Sequence, residues 1–362
     1  MTETLTLPAD ARAARADRIP VAVLGATGSV GQRFVQLLEH HPWFRLHEVI
    51  ASERSAGKSY GDAADWRLDT LLPRAAAALG VKPLGSALES RLVFSGLDSS
   101  VAGEAEEQYA DRGCVVVSNS KNHRMDSDVP LLLPEINSDH LAAIEHQRKR
   151  RGGGYIVTNS NCSTMGLALA IAPIERLAGI EQLFVTTMQA ISGAGYNGVA
   201  SYAILDNVIP YISGEEEKIE CEPQKILGRW DGQRFVPAPI RISAHTNRVP
   251  TIDGHLMTMS MKLRQAASSS QLIDAMREFR GEPQELRLPS APAHPIHYID
   301  APDRPQPRLD RDRERGMSVS VGRLRPDPIL DYRMVALVHN TIRGAAGAAL
   351  LNAELLEAKG ML

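Results

Sequence analysis

The sequence predicts an α/β protein in which a doubly wound, Rossmann-type parallel sheet precedes an α+β domain. Short apolar runs alternate with helical patches over about the first 160 residues, an alternation typical of βαβ units. After Cys162 the pattern changes to a long apolar helix followed by longer strands. The length of 362 residues suits two domains, since one domain takes roughly 150 residues.

The first domain is predicted from four apolar runs. Residues 19–24 (IPVAVL) are typical of a strand that is buried on both faces of a parallel sheet. A helix is predicted over 32–38, and further strands are predicted over 46–51, 92–94 and 114–118. We expect these strands to lie side by side with helices between them.

The second domain is predicted to mix strands and helices. Its predicted elements are a helix over 165–177, strands over 183–189, twice within 241–263 and over 335–338, and a closing Ala-rich helix over 344–356. Residues 283–315 are rich in Pro and Arg, so we expect loops there. The closing helix could return to the first domain.

Composition excludes several classes of partner. The chain has 40 Lys and Arg against 43 Asp and Glu, and this balance argues against nucleic-acid or membrane binding, which needs clustered basic residues. No apolar run approaches the roughly 20 residues of a membrane helix. Three cysteines are a sparse, odd set that favours a reducing compartment, so we expect a cytoplasmic protein. Residues 1–18 contain acidic side chains and no apolar core, so we expect a disordered tail there.

A glycine-rich turn follows the first predicted strand directly. Such a turn between a strand and a helix lets a pyrophosphate approach the backbone and the positive helix N-terminus. The G-x-x-G-x-x-G spacing differs from the commonest dinucleotide pattern, so the prediction depends on its position after the strand. The predicted cofactor residues of this turn are Gly25, Thr27, Gly28, Ser29, Val30 and Gly31.

The residues after the second strand bear on which dinucleotide binds. Ser52 and Ser55 flank Arg54, which could hold a 2′-phosphate through charge-assisted hydrogen bonds and so favours NADP. Glu53 could instead serve the ribose of NAD. A plain surface loop with an exposed ion pair is the remaining alternative.

Cys162 is the candidate nucleophile. It lies in the polar stretch TNSNCST, directly before the apolar helix predicted from residue 165. A helix N-terminus lowers the pKa of a thiol and favours the reactive thiolate. The same polar residues could also be only a helix cap, with Cys162 as an inert small core residue. The local sequence leaves both readings open.

Several motifs together resemble one family. GATGSVG at 25–31, NSNCST at 159–164, QAISGAG at 189–195 and NRVPTIDGH at 247–255 resemble aspartate-semialdehyde dehydrogenases, and particularly their archaeal and fungal branch. Further matching blocks, such as ILDNVIPYISGEEEK and HNTIRGAAGAALLNAELL, follow in family order to about residue 359. The departures are the N-terminal tail, the RKRRGGG stretch before the cysteine and the Pro/Arg-rich loop, none of which lies at a motif position.

The resemblance implies a role for each matching site residue. The implied roles are Cys162 as nucleophile, His255 as general acid/base, Gln189 as the residue orienting the acyl intermediate, Arg248 as the clamp on the substrate α-carboxylate, Glu215 and Lys218 at the substrate amino group and phosphate, and Arg124 and Asn161 as further phosphate contacts. The run Glu215-Glu216-Glu217 leaves the acidic residue open by one position. The predicted cofactor site also includes Ser95, Ser192, Gly193 and Asn340.

The resemblance also implies the fold, the reaction and the assembly. It implies a glyceraldehyde-phosphate dehydrogenase-like fold with an NADP-binding domain over 19–160, a catalytic and dimerisation domain over 161–338, and a C-terminal helix over 339–362 that returns to the first domain. The implied reaction is NADPH-dependent reduction of β-aspartyl phosphate to L-aspartate 4-semialdehyde, with release of inorganic phosphate, in a homodimer or homotetramer. No Cys/His spacing indicates a metal site.

The sequence leaves two alternatives to this reaction open. A malonyl-CoA reductase resembles the same branch and shares its thioester chemistry. A non-catalytic NADP-binding paralogue would be expected to lose Cys162, His255 or Arg248, and the sequence contains all three.

Overall fold

The computed structural model describes residues 17–362. The disordered tail expected at 1–18 therefore falls, except for its last two residues, outside the described part of the chain. The two sheets predicted from the alternation of patterns are both present, and the first is entirely parallel.

The parallel sheet has six strands in the order β3-β2-β1-β4-β5-β6. Its strands are β1 (Ile19–Leu24), β2 (Phe44–Ala51), β3 (Val81–Pro83), β4 (Leu92–Ser95), β5 (Val115–Ser118) and β6 (Tyr155–Thr158). Its helices are α1 (Ser29–Leu38), α2 (Tyr60–Ala63), α3 (Arg74–Ala77), α4 (Ser99–Asp111), α5 (Pro134–Asn137) and α6 (Ile144–Arg151), with a 3₁₀ turn at Ser138–Ala143. The chain moves outward from β1 in both directions, so a crevice opens at the carboxyl ends of β1 and β4.

The second sheet is mixed and has seven strands in the order β13-β14-β15-β12-β7-β11-β8. Its strands are β7 (Ile180–Gln189), β8 (Ile209–Pro210), β11 (Arg241–Arg248), β12 (His255–Leu263), β13 (Ile296–Ile299), β14 (Val319–Pro326) and β15 (Tyr332–Val338), while β9 (Arg229–Trp230) and β10 (Phe235–Val236) form a separate hairpin. The helices of this half are α7 (Cys162–Ala178), α8 (Ser201–Ile204), α9 (Glu215–Ile226), α10 (Ser269–Glu278), α11 (Glu282–Glu285), α12 (Pro307–Asp310) and α13 (Gly347–Ala358), with 3₁₀ turns at Ile191–Ala194 and Arg313–Gly316 and a π turn at Ile342–Ala346.

Helix α7 is the element that positions the site, because it is buried along most of its length against the second sheet. Met165 and Leu167 share one apolar core with Met257 of β12 and Val338 of β15. A Cβ atom at Gly166 would lie 2.6 Å from the Cβ of Val338, closer than real contacts allow. Glycine at this position therefore lets the start of α7 approach the ends of β12 and β15.

The closing helix α13 packs against the parallel sheet. Leu350 and Leu355 of this helix belong to the same core as Val21 of β1 and Phe94 of β4. The helix begins at Gly347, later than the predicted residue 344, because the chain first makes the π turn.

The expectation of loops over 283–315 was partly wrong, because β13 lies in this range as an edge strand and α12 as a single helical turn. Within residues 17–362, no helix is long and apolar enough to cross a membrane.

Candidate active site

Cys162 is the first residue of α7. The preceding residue, Asn161, is the N-cap, and its side-chain Oδ1 accepts hydrogen bonds from the N–H groups of Ser163 (2.9 Å) and Thr164 (3.2 Å). The N–H group of Cys162 itself occupies a position that has no acceptor inside a helix. Asn161 thus caps the helix and leaves the sulfur and an amide hydrogen of Cys162 at its positive end.

His255 faces the sulfur. Its Nε2 lies 3.2 Å from Cys162 Sγ, and its Nδ1 accepts a 3.0 Å hydrogen bond from the backbone N–H of Ala190. Because a backbone N–H can only donate, Nδ1 carries no proton, and the hydrogen of the neutral ring is assigned to Nε2. The imidazole is therefore oriented to donate toward the sulfur.

Burial governs the protonation of this pair. Burial raises the pKa of the Cys162 thiol to about 12, with a further rise from the charge of Glu215, while Arg124 and Arg248 act in the opposite direction. Burial, followed by the charge of Arg248, lowers the pKa of His255 to about 3. The expected lowering of the thiol pKa by the helix N-terminus is outweighed in this structure, and the pair is held as a neutral thiol beside a neutral imidazole.

Strand register brings three predicted residues to one edge of the second sheet. β7 and β11 are parallel, and their last residues, Gln189 and Arg248, are register partners. β12 runs antiparallel to β7 and begins with His255, so it starts where β7 ends. The Arg248 guanidinium is buried, and its Nη1 donates to the carbonyl of Ala190 at 2.7 Å.

The 3₁₀ turn after β7 lies directly over this edge. A Cβ atom at Gly193 would lie 2.8 Å from Arg248 Nη1 and 3.2 Å from His255 Cε1. A side chain at this position would have to displace the Arg248 guanidinium. The QAISGAG motif thus places its glycine where arginine and histidine come together.

Glu215 is the acidic residue of the GEEEK run that reaches the site. Its Oε2 accepts from Asn161 Nδ2 at 2.8 Å and from Gln189 Nε2 at 3.3 Å, and its Oε1 accepts from Lys218 Nζ at 2.7 Å. Burial opposes its ionisation, but the Lys218 charge and these hydrogen bonds hold the pKa of Glu215 below its usual value. Glu216 instead accepts the N–H of Thr246, which resolves the one-position ambiguity.

Arg124 approaches from the loop that follows β5. It is buried, its Nη1 donates to Glu222 Oε1 at 2.9 Å, and its Nη2 donates to the carbonyl of Asn119 at 2.9 Å. Sequence reasoning missed Glu222. A signal was available, because Glu222 lies seven residues after Glu215 and therefore on the same face of α9.

Gly344 was also missed. A Cβ atom there would lie 2.8 Å from the Cβ of Cys162, so the π turn packs closely against Cys162. A glycine within GAAGAA gives no local sign of such a contact, which depends on the return of the chain to the start of α7.

The glycine-rich turn after β1 is tightly folded. Gly25 has φ +70°, and a Cβ atom on Gly31 would lie 2.1 Å from the carbonyl oxygen of Gly25. The N-cap of α1 is Gly28, which has no side chain to occupy the free N–H groups at that end. The turn therefore presents uncovered amide groups and no steric obstacle, an arrangement that fits a pyrophosphate.

The other predicted cofactor residues differ in their surroundings. Ser52 and Arg54 are exposed in the turn after β2, and Ser55 is partly buried there. Ser95 is fully buried and its hydroxyl donates to Glu106 at 2.6 Å, so that hydroxyl has a partner inside the protein.

The predicted cofactor residues of the second domain lie together at the 3₁₀ turn after β7. Asn340 Nδ2 donates to Ser192 Oγ at 2.8 Å, and Asn340 Oδ1 accepts the N–H of Gly254 at 2.8 Å. A Cβ atom at Gly195 would lie 3.8 Å from Ser29 Oγ, so the two glycine-rich loops face each other across the crevice.

The other cysteines lie away from His255. Cys114 is buried beside β5, and Cys221 is half-buried on α9. Burial raises the pKa of both thiols. In the described part of the chain, no three His, Cys, Asp or Glu side chains are grouped so that they could hold a metal ion.

Comparisons with known proteins agree with this geometry. Residues 20–144 match the family model "Semialdehyde dehydrogenase, NAD binding domain", and residues 171–343 match "Semialdehyde dehydrogenase, dimerisation domain". Aspartate-semialdehyde dehydrogenase of Candida albicans is 49% identical over 358 residues, covering 94% of this chain and 98% of that protein. The enzyme of the same name from Archaeoglobus fulgidus is 47% identical over 341 residues, covering 94% of this chain and 98% of that protein.

A solved structure gives the same result. The crystal structure of aspartate semialdehyde dehydrogenase with NADP from Candida albicans superposes with a TM-score of 0.88 at 46% identity, covering 96% of this chain and 100% of that one. Sequence, fold and site geometry thus lead to one conclusion: the chain belongs to the aspartate-semialdehyde dehydrogenase family.

Proposed function

We propose that this protein reduces β-aspartyl phosphate to L-aspartate 4-semialdehyde with NADPH and releases inorganic phosphate, through a thioester on Cys162. The observation that carries the proposal is the 3.2 Å contact between Cys162 Sγ and His255 Nε2 at the start of a buried helix. Thiolates attack acyl carbons readily, and an adjacent imidazole is the usual group that controls their protons. The names of the relatives support the choice of substrate.

The charged groups around Cys162 match the three ends of the proposed substrate. Arg248 offers a planar, two-pronged donor to the α-carboxylate. Glu215, whose pKa is held low, offers a negative charge to the α-ammonium group. Arg124 and Lys218 offer positive charge to the phosphate, and the free hydrogen on Asn161 Nδ2 offers a further donor.

In the reaction, the sulfur of Cys162 attacks the acyl carbon, the C–O bond to phosphate breaks, and a thioester forms on Cys162. The thiol proton leaves with the phosphate, which departs as hydrogen phosphate. The N–H of Cys162 at the helix start is placed to stabilise the oxyanion, since it has no helical acceptor. NADPH, when bound, supplies the hydride that reduces the acyl group. His255 holds a proton on Nε2 beside the sulfur, which stabilises the thiolate as it forms and again as it leaves the thiohemiacetal.

The residues of the crevice fit NADP. The amides of the turn around Gly28 would hold the pyrophosphate, because no side chain caps that end of α1. Arg54 with its neighbouring serines would hold the 2′-phosphate. Ser192 and Asn340, which are linked by a 2.8 Å hydrogen bond, would face the nicotinamide end, near His255.

One assay separates this proposal from the malonyl-CoA alternative. The purified protein is given aspartate semialdehyde with NADP, with and without phosphate, then the same mixture with NAD, and finally malonyl-CoA with NADPH. We expect oxidation of aspartate semialdehyde that requires phosphate and prefers NADP. Efficient reduction of malonyl-CoA without phosphate-dependent oxidation of aspartate semialdehyde would refute the proposal.

We further propose that the protein is a cytoplasmic homodimer or homotetramer that associates through the segment around α8 and β8. Tyr202 is 99% exposed, Leu205 65% and Tyr211 56%, and this run lies at the open edge of the second sheet. Large apolar side chains at such exposure are typical of a contact surface. Sedimentation of the unaltered protein and of Leu205→Asp tests this, with a smaller species expected only for the variant.

A further inference from the structure

One face of α9 carries four charged residues that turn inward. Glu215, Lys218, Glu222 and Lys225 follow each other at intervals of three, four and three residues, which aligns them along the helix. The first two lie at the proposed substrate site. Glu222 and Lys225 are buried, with exposed fractions of 2% and 4%, and neither has a role in the reaction described above.

Glu222 contacts two parts of the site at once. Its Oε2 accepts the backbone N–H of Asn161 at 2.6 Å, and its Oε1 accepts Arg124 Nη1 at 2.9 Å. Asn161 is the residue before the nucleophile and the cap of α7. One carboxylate thus joins the start of the catalytic helix to the guanidinium proposed to bind phosphate.

The same helix also holds the backbone beside that guanidinium. Lys225 Nζ donates to the carbonyl oxygens of Arg124 (2.8 Å), Asp126 (2.8 Å) and Val129 (2.9 Å). Three carbonyls converging on one buried ammonium fix the loop that follows β5. Arg124 is therefore held by α9 both at its side chain and at its main chain.

Arg124 still has a donor to spare. Two of its nitrogens are bound by Glu222 and Asn119, while its Nε is buried and has no hydrogen-bond partner among the described residues. Buried N–H groups without an acceptor are rare in folded proteins, so this nitrogen is available to an acceptor that the described residues do not supply. A phosphate oxygen is such an acceptor.

We propose that Glu222 is a positioning residue that fixes Arg124 relative to the start of α7, and so sets the distance between the phosphate-binding guanidinium and Cys162. This inference rests on the proposed function. The Arg124 guanidinium and the backbone N–H of Asn161 are two donors, and the carboxylate of Glu222 offers one oxygen to each. Glutamine at this position has one acceptor, and its NH₂ group would point at a donor, so one buried donor would lose its partner.

The test compares Glu222→Gln with the matched control Glu217→Gln, an exposed position on the same helix. For each protein, the KM for phosphate, the KM for aspartate semialdehyde, kcat, the Kd for NADP and the melting temperature are measured. We expect Glu222→Gln to raise the KM for phosphate about tenfold or more and to lower kcat, because a charge-assisted contact of the guanidinium is lost. The Kd for NADP should stay unchanged, and Glu217→Gln should behave as the unaltered protein.

Two results would overturn the inference. One is an unchanged KM for phosphate in folded Glu222→Gln, and the other is an equal loss in the phosphate, aldehyde and NADP measurements, which would indicate general damage. If Glu222→Gln does not fold, Glu222→Asp decides, since it keeps both oxygens on a shorter side chain and must still raise the KM for phosphate selectively. Failure of the proposed function is distinguishable, because the unaltered protein would then lack phosphate-dependent turnover altogether.

Discussion

At the scale of single residues, the site depends on how each charged side chain is oriented by its neighbours. Arg248 has one nitrogen bound to the carbonyl of Ala190, so the direction of its guanidinium is fixed before any substrate arrives. His255 has its Nδ1 bound to the N–H of the same residue. Ala190, which follows β7, thus orients both groups through its backbone.

Replacing Arg248 by Lys should lower kcat/KM for aspartate semialdehyde sharply. An ammonium keeps the charge but cannot donate two parallel hydrogen bonds to a carboxylate while also binding Ala190. Loss of one charge-assisted contact corresponds to a decrease in kcat/KM of about tenfold or more. The control is Arg241→Lys at the exposed start of the same strand, which steady-state kinetics should show to be unaffected. Equal activity in the two variants would contradict the role of Arg248.

The buried imidazole of His255 should also make stability depend on pH. Its pKa falls from 6.5 in the unfolded chain to about 3 in the folded protein, first through burial and then through the charge of Arg248. At pH values between 3 and 6.5, the unfolded state binds more protons at His255 than the folded state does. The contribution of His255 to the free energy of unfolding is therefore complete above pH 6.5 and is lost as pH falls toward 3. Denaturant titrations at pH 7 and pH 4.5 should therefore show a larger loss of stability for the unaltered protein than for His255→Gln. The same loss in both proteins would mean that His255 is not held neutral.

The residues proposed to react were predicted from the sequence and lie together in the structure, whereas the residues that surround them were not predicted. Cys162, His255 and Arg248 lie in motifs that can be recognised without a fold. Glu222 and Gly344 act through contacts with residues that are distant in the chain, 61 positions away for the bond from Glu222 to Asn161. Such contacts become visible only when the helices are packed.

At the scale of elements, the start of α7 is set by close packing against the π turn at Ile342–Ala346. Gly344→Ala should lower kcat, since its new methyl group would lie 2.8 Å from the Cβ of Cys162 and must displace the nucleophile. NADP binding should persist because the glycine-rich turn after β1 is untouched. Gly80→Ala is the control, as a Cβ there meets open space. Retention of full kcat by Gly344→Ala would show that the π turn moves and that Cys162 keeps its position.

The turn after β2 carries the prediction of cofactor choice. Arg54→Ala should weaken binding of NADP by roughly ten- to a hundredfold and leave NAD binding unchanged, since a charge-assisted contact to a phosphate contributes about 1.5 to 3 kcal/mol. Lys58→Ala, another exposed basic residue of this segment, is the control. Fluorescence titration with each nucleotide measures the effect. Equal weakening of NAD and NADP would contradict a 2′-phosphate contact at Arg54.

Elements with a strong pattern were predicted more reliably than short ones. The prediction of β1 was correct at both ends, because its apolar run is bounded by Arg18 before it and by the glycine-rich turn after it. β3 was missed because three residues, one of them a lysine and one a proline, show no pattern. β6 was missed, although β4 and β5 are equally short and were predicted, because it directly follows the Arg- and Gly-rich stretch before residue 155. β13 was missed because it lies among prolines and arginines that are typical of loops.

At the scale of the whole molecule, the site is formed by both halves of the chain. Cys162 follows the last strand of the parallel sheet, while His255 and Arg248 come from the second sheet. The two glycine-rich loops face each other across the crevice, which would bring a nicotinamide held by the first domain to the acyl group held by the second. The fold class was predictable from the change in pattern after Cys162. That residues from both halves of the chain would meet at one site could be predicted only from the family resemblance.

The central claim, a thioester on Cys162, is tested most directly by a single-turnover experiment without phosphate. The protein is mixed with aspartate semialdehyde and NADP, NADPH formation is followed, and the protein is then digested for peptide mass spectrometry. We predict a burst of NADPH equivalent to the active sites, an aspartyl group on the peptide that contains Cys162, and resumed turnover when phosphate is added. Cys162→Ala should give no burst while still binding NADP. Sustained turnover without phosphate, or an acyl group on Cys114 or Cys221, would contradict the account.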